Sequence, residues 1–115
     1  MKKHETTRRW PWRPAMLAGI TLAAVTATHA LGSSSATVGI KEFKFAPTPL
    51  TVRAGSTVTW VNHDEETHTI TSATGSFGSG GLGNEDTFAQ TFTRPGTYEY
   101  FCALHPKMKA AVIVK

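Results

Sequence analysis

Cys102, His105 and Met108 place a thiol, an imidazole and a thioether within seven residues, spaced Cys-x2-His-x2-Met in the run Tyr98-Glu99-Tyr100-Phe101-Cys102-Ala103-Leu104-His105-Pro106-Lys107-Met108. These are soft and borderline donors of the kind that suits copper. Cu(I) favours soft, low-coordinate surroundings, whereas Cu(II) favours nitrogen and tetragonal geometry. A thiolate, two imidazoles and a distant thioether form a compromise that both oxidation states tolerate, so little has to move when an electron arrives. The run supplies one imidazole. The rest of the chain must supply the other.

Other chemistry fits these residues less well. The three side chains are too close in sequence for a nucleophilic triad, and no motif sets a general base beside the thiol. Cys102 is the only cysteine, so no internal disulfide can form. A buried, inert cysteine behaves as a small hydrophobe, but metal ligation also explains its neighbours. Two histidines outside the N-terminal segment remain as partners, His63 and His68. His68 precedes Thr69-Ile70-Thr71 at a loop-to-strand edge. His63 begins the acidic run His63-Asp64-Glu65-Glu66 and reads as a solvated loop residue. Local chemistry favours His68 and leaves His63 as the alternative.

The elements that must position these donors read as strands. Val38 and Ile40 share one parity and Phe43 and Phe45 the other, a phase slip that predicts a bulge near Lys41–Glu42. Ala46-Pro47-Thr48-Pro49 is a breaker. Leu50, Val52 and Ala54 alternate with Thr51 and Arg53, and Gly55-Ser56 turns the chain. Val58 and Trp60 face one side of a β-branched and aromatic segment, with Trp60 as core. Residues 72–86 are rich in Gly, Ser and acid and read as a loop or open hairpin, anchored by Phe77 and Leu82. Phe88 and Phe92 share a face of the next strand, and Pro95-Gly96 marks a turn. Tyr98, Tyr100 and Cys102 share one parity, so inward-facing tyrosines would aim Cys102 inward. About seven short strands with no amphipathic helical period predict an all-β sandwich.

The N-terminus reads as an export signal. Lys2, Lys3, Arg8, Arg9 and Arg13 precede an apolar run from Ala15 to about Ala27 and the small-residue context Thr28-His29-Ala30. The run is too short and too interrupted by Thr and His for a membrane span. We therefore expect residues 1–30 to be a signal peptide, 31–36 a loose lead-in and 37–115 the folded domain, with a cut after Ala36 as the alternative. Arg8-Arg9 raises twin-arginine export, although Pro11 and Pro14 crowd that motif. The chain has 12 Lys+Arg and 8 Asp+Glu, but five of those bases and one acid lie in residues 1–30, leaving seven of each. The domain is formally neutral. Nucleic-acid binding, which needs a clustered basic surface, is not expected.

Beyond these local readings, the chain resembles the cupredoxins, closest to the amicyanin/plastocyanin-like group of periplasmic copper proteins. Val58-Thr59-Trp60-Val61-Asn62, His68 six places on, Pro95-Gly96-Thr97-Tyr98-Glu99-Tyr100 and Cys102-x2-His105-Pro106-x-Met108 carry the resemblance, which spans about Ala36 to Lys115. It implies a Greek-key sandwich holding one type 1 copper by His68, Cys102, His105 and Met108, and it selects His68 over His63. It implies that Asn62 ties the first-ligand loop to the loop carrying the cysteine. Thr67 stands where such proteins often have proline, which implies a less rigid His68 loop. The implied function is a periplasmic, monomeric carrier of single electrons that meets redox partner proteins transiently, a c-type cytochrome or a dehydrogenase. The alternative is a copper-delivery module without electron transfer. An enzyme would need a second copper centre or an open coordination position. His105 would be the electron port, ringed by Leu104, Pro106 and Leu82. Asp64-Glu65-Glu66 reads as a solvated loop, or as a patch that steers a basic partner.

Overall fold

A computed structural model describes residues 34–115, together with Gly19. The expected signal peptide, apart from Gly19, and residues 31–33 of the lead-in lie outside the described residues. Nine strands follow in chain order: β1 Ser35–Lys41, β2 Lys44–Ala46, β3 Leu50–Val52, β4 Ser56–Asn62, β5 His68–Ser72, β6 Gly78–Leu82, β7 Thr87–Phe92, β8 Gly96–Phe101 and β9 Lys109–Val114. They form a four-stranded sheet, β2-β1-β4-β7, facing a five-stranded sheet, β3-β9-β8-β5-β6. No helix occurs among the described residues. The neighbours are largely non-consecutive, the crossovers expected of a Greek-key sandwich.

Alternation on β4 builds the core. Ser56, Val58, Trp60 and Asn62 are buried while the residues between them are half-buried, because successive side chains point to opposite faces. Trp60 is fully buried and meets the rings of Phe77, Phe88, Phe92 and Tyr100. The same parity carries Asn62 inward at the end of the strand. On β8 the expected parity holds: Tyr100 is 1% exposed and Cys102, just past the strand, is 0% exposed. The Tyr98 hydroxyl donates to the Arg94 carbonyl at 2.7 Å, pinning the turn that starts β8.

Two expectations are corrected here. The phase slip near Lys41–Glu42 is a chain reversal and not a bulge. Lys41 pairs with Lys44, and Glu42 and Phe43 form a two-residue hairpin turn with φ of 53° and 59°. Hairpins of this length favour φ > 0 at both central residues, which usually selects Asn-Gly or Asp-Gly. In Glu42 and Phe43 it costs roughly 1–2 kcal/mol each, so something else must hold the turn. Secondly, β1 begins at Ser35, inside the expected loose lead-in, because Ser35 and Ala36 pair in parallel with Thr57 and Val58. Of the two readings of the Gly-rich segment, loop or open hairpin, the structure shows the hairpin: β6 pairs antiparallel with β5, and its His68↔Leu82 and Thr69↔Gly81 pairs lie beside the donors. A strand that is mostly glycine has no apolar alternation to reveal it.

Candidate metal centre

Four connections meet at one end of the sandwich: the β1–β2 turn, the loop from Asn62 to His68, the loop after β6, and the seven residues Cys102 to Met108 between β8 and β9. That last loop closes on itself. His105 N–H donates to the Cys102 carbonyl at 3.2 Å, Met108 N–H to the His105 carbonyl at 2.9 Å, and Cys102 N–H to the Met108 carbonyl at 3.1 Å. Two successive tight turns therefore hold the three donor residues in a fixed relation, between strands already paired from Gly96↔Val114 to Phe101↔Lys109.

His68 opens β5 on the neighbouring strand and is fully buried. Its Nδ1 lies 3.7 Å from Cys102 Sγ, and His105 Nδ1 lies 3.6 Å from the same sulfur. The ligating atoms of His68, Cys102 and His105 all fall within 4.8 Å of one another. Metal bonds of about 2.0–2.3 Å to nitrogen and sulfur, opened to tetrahedral or trigonal angles, separate two donors by about 3.5–4 Å. The observed spacings match, so the residues fit a metal with thiolate and imidazole donors. Met108, at the end of the same closed loop, is buried at 7% exposed. His63 is not part of it; its side chain is 44% exposed and pairs with Glu85 across the surface at 3.1 Å.

The thiol is prepared for ligation. Burial pushes Cys102 up, but the hydrogen bonds donated by Thr69 N–H and Leu104 N–H and the contacts with the His105 and His68 ring nitrogens outweigh it and bring the thiol down from 9.0 to about 6. The Thr69 N–H reaches Sγ at 3.3 Å. It is free to do so because β5 pairs with β8 only at Thr71 and Ser72, and parts from it towards His68. The Thr69 hydroxyl accepts Ala103 N–H at 2.7 Å. Thr69 therefore ties the His68 strand to the cysteine loop from both its backbone and its side chain.

That tie was expected of Asn62, and the structure corrects the expectation. Asn62 is buried, but its Nδ2 donates to the Glu66 and Leu82 carbonyls, both at 2.8 Å, and its Oδ1 accepts Asp64 N–H at 2.9 Å. It staples the His68 loop to itself and to β6. With Asn84 Nδ2 donating to the Asp64 carbonyl at 3.1 Å, the loop gains through hydrogen bonds the rigidity that Thr67 does not supply. Gly81 belongs to the same packing: a Cβ there would sit 3.1 Å from Thr67 Cγ2.

Asp64 is the functional residue that sequence reasoning missed. It was read within a solvated acidic run, yet its side chain is only 9% exposed, and Oδ2 lies 2.8 Å from His68 Nε2. Its carboxylate also accepts Glu42 N–H at 2.7 Å and Phe43 N–H at 3.0 Å. Burial alone would raise its pKa, but these three bonds dominate and hold it below the ordinary carboxylate value. A carboxylate on Nε2 fixes the tautomer that leaves Nδ1 free for a metal. The i,i+4 spacing of Asp64 and His68 was the available signal. Glu65 and Glu66 are exposed as expected.

The surface beside the centre differs from expectation at one position. Leu104 is 56% exposed and Pro106 exposed, but Leu82 is buried at 6%. Phe43, 42% exposed, takes its place. Leu82 faces inward because it pairs with His68 across β5 and β6.

Residues 14–114 match the family model described as a cupredoxin-like domain. Amicyanin from Paracoccus versutus is 36% identical over 83 residues, covering 68% of this chain and 63% of the relative. The chain therefore spans less than two thirds of that relative's length. Amicyanin-alpha from Methylorubrum extorquens is 32% identical over 108 residues, covering 85% of this chain and 87% of the relative. A solved copper-containing nitrite reductase from Thermus scotoductus superposes with a TM-score of 0.66 at 30% identity, over 70% of this chain but 22% of that chain.

Proposed function

Because this chain belongs to the cupredoxin-like family, we propose that it carries single electrons between redox partner proteins, with copper held by His68, Cys102, His105 and Met108. One observation carries the reading: the thiol and two imidazole Nδ1 atoms converge at 3.6 and 3.7 Å in a buried, hydrogen-bonded pocket. Copper in such a donor set supplies a one-electron couple with little rearrangement between its two states.

The chain's own residues supply the rest. Cys102 is held as a thiolate near neutral pH by the bonds that lower its pKa to about 6. Asp64 and the Asn62 network keep His68 oriented, and the closed turns of residues 102–108 keep His105 and Met108 in place. That stiffness limits motion on oxidation and reduction. His105 is half-buried where His68 is fully buried, so it is the donor through which electrons reach a partner. Leu104, Pro106 and Phe43 around it form a small apolar surface suited to the weak, short-lived contacts of electron transfer. Two imidazoles, a thiolate and a thioether leave no open position for a substrate, which favours a carrier over an enzyme.

We further infer that residues 1–30 direct export to the periplasm, leaving a folded domain that begins at Ser35. Among the described residues no helix is long and apolar enough to cross a membrane. The deciding experiment is the optical and EPR spectrum of the copper-loaded protein, with voltammetry. We expect strong absorption near ~600 nm from thiolate-to-copper charge transfer, a reversible one-electron wave, and loss of colour in Cys102→Ser. A colourless, readily exchanged Cu(I) site would instead favour copper delivery.

A further inference from the structure

Phe43 is exposed, strained and wedged against the donors. Its ring lies edge-on to His68 with centroids 5.1 Å apart and edge-on to His105 at 4.9 Å, while the two imidazoles are themselves 5.0 Å apart. Three rings thus close a nearly equilateral triangle. Two of its members would be ligands. The third comes from the opposite sheet and carries no donor atom.

The backbone beneath this ring is unusual. Glu42 and Phe43 both have left-handed φ, which for a bulky residue is an outlier that persists only when its surroundings enforce it. The enforcing group is the Asp64 carboxylate, which accepts both of their N–H groups and also His68 Nε2–H. A single carboxylate therefore latches the turn that carries Phe43 and orients one of the two imidazoles the ring covers. Phe43 also lines a crevice of about 210 Å³, together with Lys44, Phe45, Thr48, Lys107, Met108 and Lys109. The crevice is several times the roughly 30 Å³ a water occupies. It gives the ring space to swing into and brings solvent to the buried Met108.

We propose that Phe43, latched by Asp64, is the gate of the metal centre: it sets how fast metal ions and other solutes enter and leave the donor cluster. The proposal rests on His68, Cys102 and His105 being the donors, but it does not require that the centre shuttle electrons. Packed edge-on against both imidazoles, the ring excludes water and closes the route from the crevice. With the latch released, the route opens without unfolding the sandwich.

Cys102 is the chain's only thiol, so a thiol reagent reads the gate directly. The metal-free protein is treated with 5,5′-dithiobis(2-nitrobenzoate), in which Cys102 forms a mixed disulfide and releases one thionitrobenzoate. In parallel, copper is extracted from the loaded protein by a strong chelator. Thiol reactivity follows access as well as thiolate character, so Phe43→Gly should raise both rates about tenfold or more. Glycine adopts the left-handed turn without strain, so this variant keeps its fold, and its urea midpoint is measured beside the two rates. Phe43→Tyr keeps the ring and should stay within about twofold of the parent by the same access argument. Asp64→Ala, with Phe43 intact, should raise both rates in the same direction. Because the two act as one device on access, the thiol rate of the double variant should be no faster than that of Phe43→Gly alone within about twofold; copper extraction is left out of this comparison because Asp64 also orients His68. Phe43→Gly rates equal to the parent's, or Asp64→Ala and Phe43→Gly effects on the thiol rate that multiply independently, would overturn the gate. Thiol rates that rise only in proportion to lost global stability would also overturn it, since reaction would then proceed through unfolding. The thiol assay needs no copper, so its failure is separable from the absence of a reversible electron wave.

Discussion

Thr69→Val tests the tie between the His68 strand and the cysteine loop with little change in shape. Valine keeps the β-branched outline and suits a strand, so the change removes one hydroxyl. In the parent that hydroxyl accepts Ala103 N–H at 2.7 Å and shares a hydrogen bond with the Thr71 hydroxyl at 2.8 Å, and Thr69 is only 8% exposed. A typical hydrogen bond contributes about 1 kcal/mol net, and leaving its partner short of an acceptor adds part of a further penalty of about 1–3 kcal/mol. Ala103 is exposed, so water can meet part of its N–H and that penalty is small, but the bond to the Thr71 hydroxyl is lost as well, so the sum should be about 1.5–2.5 kcal/mol. For a domain of this size that corresponds to a fall in Tm of about 6–20 °C. The assay is urea unfolding of the metal-free protein, because bound metal would add a concentration-dependent stability of its own. Thr69→Ser is the control: it keeps the hydroxyl, loses one methyl and should cost about 1 kcal/mol or less. The reasoning fails if Thr69→Val costs under about 0.5 kcal/mol, or if serine costs as much as valine. The Thr69 N–H to Cys102 Sγ bond survives both changes, so the thiol pKa of the two variants should stay together.

Met108→Gln should keep copper bound and lower the reduction potential, since an oxygen donor favours Cu(II) more than a thioether does; an unchanged voltammetric midpoint would remove Met108 from the axial position. His63→Ala should leave copper stoichiometry and spectrum unchanged. It should alter stability by less than about 1 kcal/mol, because its pair with Glu85 is exposed; metal loss in this variant would contradict the assignment of His68. The metal-free thiol should alkylate with half-maximal rate near pH 6 and not near 9. Its folded pKa lies below the unfolded one, so the thiolate's stabilising effect is complete above the unfolded value and is lost as pH falls towards about 6. Subtracting the Cys102→Ala stability profile isolates that change, and a flat difference between pH 6 and 9 would show that the thiol is not shifted.

Much of the centre was legible because its information is short-range. Cys102, His105 and Met108 sit in one loop, so their donor types and spacing could be read without knowing the fold. The parity of Tyr98, Tyr100 and Cys102 needs only the twofold period of a strand, and it placed the thiol inward correctly. Val58 and Trp60 announced a core strand in the same way. The second imidazole lies across a strand boundary, where local chemistry favoured His68 over His63 without excluding the latter. His68 packs against Cys102 while His63 faces solvent beside Glu85.

What sequence alone could not decide depends on strand register. The hairpin at Glu42–Phe43 looked like a bulge because a parity slip and a chain reversal produce the same pattern, and neither residue is a usual turn former. For β6 the sequence left loop and open hairpin undecided, because glycine carries no side-chain period. Asp64 was indistinguishable from its exposed neighbours Glu65 and Glu66 until the fold set its carboxylate against Glu42, Phe43 and His68. The cysteine-loop tie fell to Thr69 and not to Asn62, because β5 parts from β8 towards His68 and frees the Thr69 N–H for the sulfur. The run Cys102 to Met108 thus determined by itself which metal chemistry this protein can hold, since donor softness and spacing are local properties. Only the tertiary structure decided how the centre is oriented, stiffened and covered. Those properties come from residues far apart in the chain, brought together by the pairing of strands.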